Sequence, residues 1–106
     1  MTWTIKIKHT RPNTDVEFYK ATESSYMNDS DTSYVESTYK DTGKRVSSSS
    51  SLSENELELT KTHVYRDEAS KNAYDADSRI QAWISACNSY NTTNNISKAI
   101  IQDEET

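Results

Sequence analysis

The sequence predicts an α+β domain: an antiparallel sheet carrying helices on one face. Three observations predict it. Residues 2–9 and 57–65 alternate apolar or aromatic side chains with polar ones, as half-buried strands do. The stretch from Ala69 to Tyr90 instead repeats its apolar residues in steps of three and four, the period of a helix. Strand-like and helix-like stretches are interleaved along 106 residues, which is the length of one domain.

The elements follow in order. In the first strand Trp3, Ile5, Ile7 and His9 share one face, with Thr4, Lys6 and Lys8 on the other. Arg11-Pro12-Asn13 ends it, because proline cannot donate to a ladder. Asn13 or Thr14 can cap a helix whose first turn holds Asp15 and Glu17, close to the positive end of the dipole. Val16, Tyr19, Glu23 and Tyr26 mark one side of that helix, and it is expected to end near Met27. Asn28 to Asp31 reads as a loop; it lacks the spacing and the distal glutamate of a calcium-binding EF-hand. Residues 33–40 alternate and are expected to form a strand, with Val35 and Tyr39 on one face and Tyr34 on the other. Gly43 then marks a hairpin turn that needs positive φ.

Residues 45–52, RVSSSSSL, resemble a linker in composition, but they sit between two turns, and Val46 and Leu52 share a face. They read as a strand of weak register. Ser53 to Asn55 makes the next turn. In the strand that follows, Leu57, Leu59, Lys61, His63 and Tyr65 alternate with Glu58, Thr60, Thr62 and Val64. A long helical segment starts at Arg66-Asp67-Glu68. Its apolar face runs through Ala69, Ala73, Ala76, Ile80, Trp83, Ile84, Cys87 and Tyr90. Asp75 to Ser78 is rich in residues that compete with helical hydrogen bonds, so two helices or a kink are expected, over about 67–76 and 78–91. The asparagines from Asn91 to Asn95 end the second. Ile96 to Ile101 suits a short last strand, and residues 102–106 a frayed acidic tail.

The resulting order, β-α-β-β-β-α-α-β, fits a ferredoxin-like split β-α-β arrangement. The segment HVYRDEASKNAYDADSRIQAW is similar to the strand-to-helix step of the dimeric α+β barrel superfamily. That superfamily includes antibiotic-biosynthesis-type monooxygenases, muconolactone-isomerase-like proteins and stress-responsive barrel proteins of unknown function. In them an aromatic ends the strand, and an acidic residue and an alanine-containing helix follow. Here Tyr65, Asp67, Glu68, Ala69 and Ala73 carry the match. The resemblance implies a homodimer in which two sheets pack face to face. Tyr34, Val64 and the threonines would lie on the face so covered. It also implies a ligand cleft between sheet and helices, lined by Trp3, Ile7, His9, His63, Tyr65, Ile80 and Trp83. Two departures block transfer of the superfamily's haem chemistry. The first strand lacks the asparagine of haem-degrading members, and the helical segment lacks a histidine for axial ligation.

Composition narrows the function classes. Only 32% of residues are hydrophobic, which suits a small core completed by a partner subunit. A net charge of −5 without a basic cluster argues against nucleic acid. No apolar run is long enough for a bilayer, and the alternating N-terminus is no signal peptide, so a soluble cytoplasmic protein is expected. One cysteine excludes an internal disulfide, and one glycine excludes a glycine-rich phosphate loop. His9 and His63 with a carboxylate would suit zinc, but on strands they read more simply as half-buried residues. No metal and no cofactor are expected. Cys87 on an apolar helix face reads as a small core residue.

Three functions remain. The first is a homodimer that binds a small molecule. The second is a cofactor-independent monooxygenase or isomerase with His63 or Tyr65 as proton acceptor. The third is a structural or interaction module.

Overall fold

The computed structural model describes residues 1–19 and 33–106. The first strand, β1 (Trp3–Thr10), is followed after the undescribed segment by a helical stretch, residues 33–40, whose second part is α1 (Glu36–Lys40). Then come β2 (Arg45–Leu52), β3 (Glu58–Tyr65), α2 (Glu68–Ala76), α3 (Ser78–Thr93) and β4 (Ser97–Glu105). The four strands form one sheet in the order β2-β3-β1-β4, with every neighbouring pair antiparallel. The fold is α+β, and its described elements run in the ferredoxin-like order β-α-β-β-α-α-β.

Alternation in β1 and β3 becomes a two-faced sheet. Ile5 pairs with His63, Ile7 with Lys61 and His9 with Leu59, all on the face that meets the helices. Thr4 pairs with Val64, Lys6 with Thr62 and Lys8 with Thr60 on the back. In β1 and β3 that back face is polar except for Val64, and Tyr34, expected there, stands on the helical stretch instead.

The expectation of a strand over 33–40 is therefore corrected to helix. Tyr34, Val35, Thr38 and Tyr39 are β-formers by propensity, and tertiary packing overrides them. Val35 and Tyr39 lie four apart, which suits one helix face as well as one strand face. Both are buried against Ile80, with Tyr34, Tyr74 and Trp83 packed around them. α1 is wound wide: the Asp41 amide donates to the Glu36 carbonyl, five residues back, at 2.7 Å. Gly43 does take positive φ, +75°, but it links this helix to β2 and makes no hairpin.

Other boundaries moved for local reasons. Residues 13–16 make a turn and 17–19 are irregular, with no helix, and the remainder of the expected helix and the loop 28–31 lie outside the described residues. Asn13 Oδ1 accepts the Asp15 amide, so the cap forms without a helix behind it. Arg11 fixes the segment by donating to the carbonyls of Glu56 and Val16 and by lying 4.6 Å over the Phe18 ring. The acidic tail is not frayed. It pairs with β1 through Glu105, and the Thr106 amide donates to the Thr2 carbonyl. β1 is a central strand whose second edge would otherwise be left open.

The break between the two helices falls at Asp77, whose side chain accepts the Arg79 and Ile80 amides as the cap of α3. Asp67 does the same for α2, accepting the Ser70 amide. That geometry turns Ser70 and Tyr74 inward and leaves Ala69, Ala73 and Ala76 exposed, contrary to the expected alanine face.

Candidate functional site

The sheet and helices do not close completely. Between them lies a cavity of about 450 Å³. β1 contributes Ile5, Ile7 and His9, and β3 contributes Lys61, His63 and Tyr65. α3 adds Ile80, Trp83, Ile84 and Cys87, a stripe in steps of three and four. The strand period of two and the helix period of 3.6 thus aim two sets of side chains at one space. Six of the seven residues assigned to a cleft from sequence, Ile7, His9, His63, Tyr65, Ile80 and Trp83, stand on its wall. Trp3 does not: its indole Nε1 donates to Asp103 Oδ1 at 2.7 Å, which holds the ring at the β4 side of the strand.

Both histidines are kept neutral. Burial lowers His63 to about 4, and the neighbouring cations Arg45 and Lys61 push in the same direction. Its Nδ1 lies 2.8 Å from Ser48 Oγ on the adjacent strand. His9 is also lowered to about 4, first by burial and then by Lys61 and Lys98. Its Nδ1 faces Asn91 Nδ2 at 3.4 Å. Tyr65 is almost completely buried, and burial pushes its hydroxyl pKa upward, so it stays protonated. Burial lowers the Lys61 ammonium, with the adjacent Lys98 acting in the same direction and Cys87 against it.

Sequence reasoning missed three features. Lys61 lines the cavity although it is absent from the expected cleft residues; its parity with His63 and Tyr65 along β3 is the available signal. Asn91, expected only to end the helix, is buried, its Nδ2 also reaches Cys87 Sγ at 3.8 Å, and its Oδ1 has no partner among the described residues. Its place four residues after Cys87 put it on the inward stripe. The third is the tyrosine junction. Asp77 Oδ2 accepts the hydroxyls of Tyr34 and of Tyr39, the latter at 2.6 Å. Partial burial acts against ionisation of Asp77, but those two hydroxyls and the capped amides hold its carboxyl below the usual range. Tyr34 and Tyr39 shift upward; the leading cause is the Asp77 hydrogen bond for Tyr34 and burial for Tyr39.

Among the described residues no three His, Cys, Asp or Glu side chains gather where they could hold a metal ion. No helix among them is long and apolar enough to cross a membrane. Cys87 is free and buried.

No protein-family model matches this chain, and no curated protein matches it significantly. A solved structure does: that of Rv0793 from Mycobacterium tuberculosis, with a TM-score of 0.55 and 12% identity, covering 98% of this chain and 97% of that one. At that identity the likeness shows a shared fold alone.

Proposed function

We propose that this chain is a single-domain, homodimeric α+β protein of the dimeric α+β barrel kind that binds a small molecule between its sheet and helices. The observation that carries the binding reading is the cavity. Its volume, about 450 Å³, falls in the range of small-molecule sites, and it joins apolar walls to a few polar groups. The superfamily reading draws on the element order and on the strand-to-helix step at Tyr65, Asp67 and Glu68. Pairing draws on exposed apolar residues at both sheet edges: Val46 and Leu52 on β2, Ile100 and Ile101 on β4.

The enzyme reading has less support. A proton acceptor works best with a pKa near the working pH. His63, at about 4, is a weak base, and Tyr65 is shifted away from the phenolate form.

Two measurements test the proposal. Small aromatic fragments titrated into isotope-labelled protein should shift the amide signals of β1, β3 and α3 that flank the cavity. Shifts scattered over the surface, or none from any fragment, would overturn the binding reading. Light scattering should report twice the 12.1 kDa chain mass; a 12.1 kDa species at micromolar concentration would overturn the dimer.

A further inference from the structure

We propose that the cavity selects an aromatic monoanion: a flat apolar body bearing one carboxylate, which pairs with the Lys61 ammonium while the ring lies against Trp83. This rests on the reading of the cavity as a ligand site and adds the chemistry of what fills it.

The first ground is charge. The whole chain carries −5, yet the cavity wall reverses that sign. It holds the cations Lys40, Arg45, Lys61 and Lys98 against the carboxylates Glu36 and Asp75. Asp75 is already paired with Lys71 at 3.0 Å. A cleft with low-dielectric walls and one sign of charge concentrates ligands of the other sign.

The second ground is Lys61 itself. It sits on a central strand, half-buried, and among the described residues its ammonium has no salt bridge and no hydrogen bond. Its cross-strand neighbours are Ile7 and Ser50, so neither side of the sheet offers a carboxylate. Lys98, by contrast, donates to Asn88 Oδ1 at 3.2 Å. A partly desolvated ammonium without a partner is costly, and an arriving carboxylate removes that cost. Its lowered pKa agrees with this position.

The third ground is what surrounds the charge. Ile7, Ile80 and Trp83 give apolar surface for a ring. The neutral imidazoles of His9 and His63 supply hydrogen-bonding nitrogens and no further charge. Lys40 and Lys98 are exposed and Arg45 lies over the Tyr74 ring, which leaves Lys61 as the half-buried ammonium on the wall to meet one anionic group on an apolar body.

The test is calorimetric titration of the full chain at neutral pH with naphthoate and with its neutral amide, naphthamide. Wild-type protein should bind naphthoate about tenfold or more tightly than naphthamide, the value of a charge-assisted hydrogen bond. Lys61→Met should abolish that preference, with an unchanged far-UV circular dichroism spectrum and thermal midpoint reporting an intact fold. Lys61→Arg should retain the preference. Equal affinities in the wild type, or a preference that survives in Lys61→Met, would overturn the inference and leave the cavity reading standing. Binding of neither probe would overturn both.

Discussion

The two ends of the gap between sheet and helices treat buried polar groups in opposite ways. At the α1 end Asp77 is fully engaged: one carboxylate oxygen takes the amides of Arg79 and Ile80, the other the hydroxyls of Tyr34 and Tyr39. Rings close around it, with Tyr39 and Tyr74 centroids 4.9 Å apart and the Arg79 guanidinium 4.5 Å over Tyr34. At the other end Lys61 has no acidic partner among the described residues, and Asn91 Oδ1 is buried and unpaired. Complete pairing makes a polar cluster part of the framework, whereas incomplete pairing beside open space marks where a ligand completes the set.

That contrast can be broken by substitution, and the largest effect belongs to the closed end. Ile80 is 1% exposed at the centre of the junction. Ile80→Ala should cost about 2–5 kcal/mol in urea unfolding, since it leaves a cavity among aromatic rings. Asp77→Ala removes a helix cap and two hydroxyl acceptors together. It should cost about 2–3 kcal/mol, with helical signal lost first at the start of α3.

Acid should act next, and at the open end. The unfolded chain protonates its histidines near 6.5, while folded His9 and His63 resist until about 4. The unfolded state therefore takes up more protons across that window. The stability contributed by keeping these rings neutral is complete above 6.5 and falls as pH drops towards 4. The urea midpoint should fall over that range, and His63→Gln should flatten part of the slope; a midpoint constant from 6.5 to 4 would contradict the burial of both rings. The smallest effect should come from Lys61→Met. Because no ion pair is lost, stability should stay within about 1 kcal/mol of wild type, on the stabilising side. A marked destabilisation would show that Lys61 belongs to the framework after all.

Much of the fold was legible because its strongest signals are periodic. The alternation of Trp3 to His9 and of Leu59 to Tyr65 gave two central strands, and the cap-forming Asp77 gave the break between helices. The helical stretch at 33–40 was not legible. Val35 and Tyr39 satisfy both periods at a spacing of four, and their packing on Ile80 is a long-range fact. The strand at Gln102 to Glu105 was hidden for a similar reason: acidic residues look like a tail until β1 supplies its edge and Trp3 its hydrogen bond. At the candidate site the family resemblance implied the cleft residues, and six of the seven line one cavity because strand parity and helical spacing aim them there. Those rules could not say that Trp3 turns towards Asp103, or that Lys61 goes unpaired, since both depend on partners distant in sequence.

The most direct measurement is an amide-shift map of the labelled protein titrated with naphthoate. The expected result is saturable movement concentrated on Lys61, His63, Trp83 and their neighbours, with Tyr34, Tyr39 and Asp77 unmoved. Shifts centred on the Asp77 junction, or dispersed without saturation, would contradict the assignment of one end as framework and the other as binding site.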